Sequence, residues 1–252
     1  MLRLPLFLVL LTSLVQGPAM AETSDMSVDF SSGEHRVAMV ELFTSEGCSS
    51  CPPADRWLSD LKTDPDLWKK FTPIGFHVDY WDYIGWKDRF ARRDYGDRQR
   101  RYAAEGGVRV VYTPGVFNNG LEWRDWRDGN NVDVERARAG VLSVSIEGDS
   151  VELNFALDNE TNEDLIAHVA ILGMNLESDV RAGENRGRTL RHDFVALGVT
   201  SVPLRKTPGG FAATTTLPEA STQASERALV AWVTDGRMQR PLQSVGGYLP
   251  EI

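Results

Sequence analysis

The chain holds two cysteines, Cys48 and Cys51, with Ser49 and Ser50 between them. A three-residue offset puts both sulfurs within bonding reach across the first turn of a helix. A thiol at a helix N-terminus faces unpaired N–H groups and the positive end of the macrodipole. Both favour thiolate and lower the pKa from about 8.5 into the ~3.5–7.5 range. The second thiol, one turn further in, is more shielded and suited to attack a mixed disulfide. Pro52 and Pro53 fit only a first helical turn, so the regular helix is expected to begin near Cys51, with residues 48–50 as an irregular lead-in. Two other uses stay open. A static disulfide is one, although so small a loop removes little chain entropy. A Cu(I) thiolate pair is the other, although no Met or His flanks the motif.

Other residue types join this pair as candidates. Thr113-Pro114 ends a β-rich run, and a cis bond there would expose the Thr113 backbone to an extended peptide. Tyr80, Trp81, Tyr83 and Trp86 offer an aromatic wall for substrate, or packing between domains. Glu41, in the strand leading to Cys48, is a candidate to accept the Cys51 proton, or else pairs with a nearby cation. Glu184-Asn185-Arg186-Gly187-Arg188 and His192 form a polar cluster. Arg186, Arg188 and His192 are read as support for a domain interface beside the site, or as a solvent loop. The charges of Lys87 to Arg101 alternate in sign, as on a solvated, salt-bridged helix face. Asp79 and Asp82 alone are too few for a hard-metal site, and no metal is expected.

The elements that must position these residues change character along the chain. Residues 36–130 alternate strand-like and helical stretches: Val37–Phe43, a helical 54–61, Phe71–Asp79, a charged helix over 87–104, Val108–Tyr112, then a hairpin through Asn118-Asn119-Gly120. That pattern predicts an α/β layer with a mixed sheet. Residues 138–252 carry β-like runs separated by turn signals and no convincing helix, which predicts a β-sandwich. Residues 22–35 read as a flexible arm.

Residues 1–21 have the layout of a secretory signal: Arg3, an apolar run from Leu4 to Val15, and Ala19-Met20-Ala21 before the expected cleavage. The run is short of the roughly 20 residues of a membrane span. The exported chain is therefore expected to have no stable membrane span, and a bacterial periplasm fits the leader. The 252 residues include 27 Lys+Arg against 36 Asp+Glu, a net charge of −9, which argues against nucleic-acid binding by bulk positive charge. Two cysteines exclude both a disulfide-scaffolded fold and a four-cysteine zinc site.

The stretches VELFTSEGCSSCPPAD at 40–55, FHVDYWDYIGWKD at 76–88, YTPGVFNNG at 112–120 and AGENRGRTLRHDF at 182–194 carry a resemblance. The first domain resembles the thioredoxin-like superfamily. More closely, the chain looks like a bacterial secreted family labelled domain of unknown function 1223. The resemblance implies an α/β thioredoxin-like domain followed by an all-β sandwich-like domain. It also implies Cys48 as attacking thiol, Cys51 as resolving thiol and Pro114 as a cis-proline. Gly47, Ser49-Ser50 and Gly115 depart from thioredoxin proper.

These readings converge on an exported thiol–disulfide oxidoreductase acting on protein thiols and disulfides with a separate redox partner. It would need no organic cofactor. The direction of electron flow is not set by the motif. A binding or assembly protein with a structural bridge, or a Cu(I) carrier, are the competing readings.

Overall fold

The computed structural model describes residues 27–106, 110–129, 132–135, 137–157 and 164–250. The leader-like residues 1–21 lie outside them. The larger sheet has eight strands in the spatial order β15 (Pro241–Tyr248), β14 (Glu226–Asp235), β8 (Leu165–Met174), β11 (Val195–Pro203), β3 (Phe71–His77), β2 (Ala38–Thr44), β4 (Gly115–Asn118) and β5 (Leu121–Glu122). A five-stranded antiparallel sheet runs β1 (Ser27–Ser31), β6 (Val141–Glu147), β7 (Ser150–Ala156), β13 (Gly210–Thr216) and β12 (Arg205–Thr207). A two-stranded ribbon pairs β9 (Leu176–Asp179) with β10 (Thr189–His192). The α-helices are α1 (Pro52–Asp60) and α2 (Arg93–Gly106).

Burial follows from these layers. In β6 and β7 every second residue is buried, and Leu142, Val144, Ile146, Val151, Leu153 and Phe155 meet apolar residues of β8 and β14 between the two sheets. β2 and β3 are buried at every position, as strands covered on both faces must be. α2 lies over the face opposite the smaller sheet, where Tyr95 packs on Phe76 and Tyr102 on Phe43.

The expected architecture, an α/β thioredoxin-like domain followed by a separate sandwich-like domain, is overturned. The protein is mostly β: among the described residues fifteen strands stand beside two α-helices. Strands from before residue 130 and after residue 138 share one sheet. The seam is at β3, which pairs in parallel with β2 on one side and with β11 on the other, Val195 opposite Gly75. The Gly75 N–H donates to the Phe194 carbonyl at 2.8 Å. Local sequence pattern has no signature for such a pairing, because its partners are more than a hundred residues apart.

Smaller differences have local causes. Residues 27–31 are strand β1, paired with β6, where a loose arm is expected. Residues 110–112 of the expected third strand have no regular structure. The charged helix begins at Arg93 rather than residue 87, because residues 79–84 wind into a 3-10 turn that Gly85 ends in the left-handed region, φ 94°. β15, with its Gly246-Gly247 pair, lacks the apolar alternation that marks a strand.

Candidate dithiol site

Cys51 is the N-cap of α1, with Pro52 and Pro53 in its first positions, as the prolines require. The Cys51 carbonyl accepts from the Ala54 and Asp55 amides at 2.8 and 3.1 Å. Cys48 precedes the helix. Its Sγ lies 3.3 Å from Ser50 Oγ and 3.8 Å from the Thr113 carbonyl oxygen. The Thr113–Pro114 peptide is cis, so residues far apart in sequence meet at one sulfur.

Both thiols are free. Their environments push them in opposite directions. A hydrogen bond with Cys51 is the largest influence on Cys48. Together with bonds to Ser50 and Thr113 it overcomes burial and pulls the Cys48 thiol down to about 6. Burial pushes the Cys51 thiol well up, reinforced by its bond to Cys48 and by the Asp55 and Cys48 charges. The two thiols thus differ in how strongly their surroundings favour the thiolate.

The aromatic residues divide. Trp81 donates from Nε1 to Thr113 Oγ1 at 2.7 Å and so holds the segment facing Cys48. Tyr80 donates its hydroxyl to Gln99 Oε1 at 3.0 Å, and Gln99 Nε2 donates to the Tyr112 carbonyl at 2.7 Å. Burial and the nearby thiols raise the Tyr80 phenol. Trp86 instead donates to Glu46 Oε2 at 2.7 Å, beneath the site. This packing leaves little room for a side chain at two glycines. A Cβ on Gly47 would meet Trp81 Cβ and Ile84 Cδ1 at 3.2 Å, and one on Gly115 would meet Gln99 Nε2 at 2.9 Å.

The polar cluster at 184–192 reaches the dithiol, through residues other than the arginines singled out by charge. Asn185 is fully buried and donates from Nδ2 to the carbonyls of Glu46 and Cys48, at 2.9 Å each. Glu184 accepts from the Ser49 amide at 2.8 Å. Arg188 donates to Asn185 Oδ1 at 2.9 Å; both Arg188 and Arg186 are exposed. His192 is buried beneath the cysteines.

Glu41 is committed elsewhere. Arg98 donates to its two oxygens at 2.6 and 3.1 Å, and the Tyr102 hydroxyl donates to it as well. The carboxylate whose charge acts on Cys51 is Asp55, four residues along α1 and therefore on the same helix face. Asp55 accepts from Thr44 Oγ1 at 2.8 Å, and burial raises its carboxyl. Around it lie His192, Glu46, and the pair His77 Nδ1–Asp88 Oδ2 at 2.7 Å. Burial opposes the charge on His77, but Asp88 foremost, then Asp55 and Glu46, raise it to about 9. Sequence reading missed Asp55, Glu46 and Asp88 as site groups. Only Asp55 had a local signal, its i,i+4 spacing from Cys51. Among the described residues no group of three or more His, Cys, Asp or Glu side chains has the geometry to hold a metal ion.

Fold and site together define a mostly-β protein with a paired-thiol centre at the start of its first helix. The chain belongs to the family described as protein of unknown function (DUF1223), whose model matches residues 39–234. It is similar to the solved structure of protein AGR_C_4864 from Agrobacterium tumefaciens, with 26% identity, a TM-score of 0.58, and 86% of this chain and 95% of that one covered. It also shares a fold with HBP35 of Porphyromonas gingivalis, at 11% identity and a TM-score of 0.56, over 86% of this chain and 76% of that one. Among curated proteins nothing matches this chain.

Proposed function

We propose that the protein is a thiol–disulfide oxidoreductase using Cys48 and Cys51, with protein thiols and disulfides as substrates. The observation that carries this reading is the placement of two free thiols at one helix start, Cys51 as its N-cap and Cys48 Sγ 3.3 Å from Ser50 Oγ and 3.8 Å from the Thr113 carbonyl, surroundings that pull Cys48 down to about 6 and push Cys51 up. A structural pair needs no such asymmetry. In the reducing direction, the Cys48 thiolate attacks a substrate disulfide and one substrate thiolate leaves. Cys51 then loses its proton and attacks Cys48 Sγ, releasing the second substrate thiolate and closing the Cys48–Cys51 disulfide. Two electrons pass to the substrate, and a partner dithiol restores the protein. The oxidising direction is the same sequence reversed. The Thr113 carbonyl edge and Trp81 are the surfaces against which a substrate chain would lie. The leader-like residues 1–21 support export to an oxidising compartment such as the bacterial periplasm, where this exchange has substrates.

Cys48 is 1% exposed, so a substrate must displace a neighbour, Trp81 or the Glu184–Asn185 turn, to reach it. The test is the reduction potential of the pair together with trapping of mixed disulfides by Cys51→Ser. A potential within the range of exchanging dithiols and trapped protein partners are expected. A potential far below about −300 mV with an inert Cys48 and nothing trapped would make the pair a structural bridge.

A further inference from the structure

Beneath the dithiol, four buried polar atoms have no hydrogen-bond partner: Glu46 Oε1, Asp55 Oδ2, and both ring nitrogens of His192. They face one another. His192 Nε2 is 3.4 Å from Glu46 Oε1, and His192 Nδ1 is 3.8 Å from Asp55 Oδ2. A ring 2% exposed, set between two carboxylates and bonded to neither, carries an uncompensated desolvation cost unless it alternates between them. A movement of about 1 Å brings either side to hydrogen-bond distance.

We propose that His192 is a proton-positioning residue for Cys51, which it serves through Asp55 and Glu46. The proposal rests on the dithiol reading above. When Cys51 attacks the mixed disulfide, its S–H bond breaks. The proton goes to Asp55, the sulfur bonds to Cys48 Sγ, and the substrate thiolate leaves with the electron pair of the broken S–S bond. His192 takes the proton from Asp55 at Nδ1 while its Nε2–H turns toward the Glu46 carboxylate, which Trp86 holds from its other oxygen at 2.7 Å. In the oxidising direction the same path returns a proton to Cys51.

Titratable groups face His192 from several elements. Glu46 comes from the turn after β2, Asp55 from α1, His77 from β3, and Asp88 from the segment before α2. The His77 ring stands 4.9 Å from that of His192, edge to face, and is itself held by Asp88 at 2.7 Å. Asp193, next in the chain, is taken by Lys62 at 2.8 Å and does not compete for the ring. The second half of the chain thus supplies a residue that governs the second step of the exchange.

The test uses the reduced full chain and an aromatic bis-nitrobenzoate disulfide, with stopped-flow detection of released thiolate. The first equivalent reports attack by Cys48, the second resolution by Cys51. For His192→Gln and Asp55→Asn the first phase is expected unchanged. The second should slow roughly 100-fold near about pH 6.5, with the deficit closing as pH rises and Cys51 ionises without help. Glu46→Gln is expected to show a smaller deficit of the same shape. Asp55→Asn keeps the side-chain shape and provides the readout if the His192 variant does not fold. A second phase left unchanged, a pH-independent deficit, or equal slowing of both phases overturns the relay alone. A wild-type chain that releases one equivalent or none overturns the dithiol reading, and the relay with it.

Discussion

Asn185 donates one amide nitrogen to two carbonyl oxygens, those of Glu46 and Cys48, at 2.9 Å each. A single side chain from the second half of the chain therefore fixes the backbone on both sides of Gly47. Replacing it by Ala removes this donor from the Glu46 carbonyl and leaves the Cys48 carbonyl with the Cys51 amide at 3.2 Å. The Asn185→Ala variant is expected to lose about 1–3 kcal/mol of stability, measured by urea denaturation of the reduced protein. A loss within experimental error would mean that the loop holds itself.

Cys48 should alkylate with a rate that rises through a midpoint at about pH 6. Ser50 lowers its pKa through a 3.3 Å contact, and Cys51 does so more strongly. Ser50→Ala is expected to move the midpoint up modestly, and Cys51→Ser further. Rates of iodoacetamide modification between pH 4 and 9 check this. A midpoint at that of an unperturbed thiol, about 8.5, contradicts it.

Glu184 accepts the Ser49 amide from an exposed position, so its removal frees the Cys48 loop without opening the core. Glu184→Ala is expected to speed alkylation of Cys48 by up to about tenfold through local opening, with the melting temperature nearly unchanged. Equal rates in the two proteins would assign the gate to Trp81 alone.

Glu41 and Arg98 form a buried ion pair, side chains 0% and 7% exposed. Removing one partner strands the other charge, so Arg98→Met is expected to cost about 3–5 kcal/mol. The pH profile of Cys48 alkylation should stay the same under native conditions. A profile that moved with Arg98 would reconnect Glu41 to the thiols.

His77 has its pKa raised to about 9 from 6.5, chiefly because Asp88 outweighs burial. Its charged pairing stabilises fully below about pH 6.5 and is lost as pH rises through about 9. The stability advantage of the parent over His77→Gln is expected to shrink across that window. Cys48 contributes with the opposite slope, its lowered pKa adding stability as pH rises above about 6. Both proteins should therefore carry Cys48→Ser and Cys51→Ser. A constant difference across the window would show His77 to be neutral throughout.

Local contacts around the cysteines were more legible in the sequence than the frame around them. The structure places the Thr113 carbonyl 3.8 Å from Cys48 Sγ and a cis bond before Pro114, contacts expected from the motif and its resemblance rather than from local spacing. The helix start at Cys51 follows from two prolines. Asp55 was within reach of the same reasoning, since i,i+4 residues share a helix face. Asn185 and His192 lay in a polar cluster read as flanking the site, but their partners were not within reach. Their roles depend on which strand lies beside β3, and a covered central strand looks the same whichever neighbour covers it. For the same reason the parallel pairing of Val195 with Gly75 left no local trace, and two separate layers were expected where one sheet runs on. Glu41 misled because a carboxylate in a buried strand can serve either face, and Arg98 lies nearly sixty residues downstream.

That continuous sheet also imposes an order in time. A growing chain presents Cys48 and Cys51 long before Asn185 can clasp their loop, before His192 can lie beneath them, and before Phe194 can receive the Gly75 amide. Until then β3 has an unpaired edge, and the thiols have neither clasp nor floor. The tuned pair is thus a late product of synthesis, and a chain interrupted before residue 185 carries both cysteines without the surroundings that set them apart.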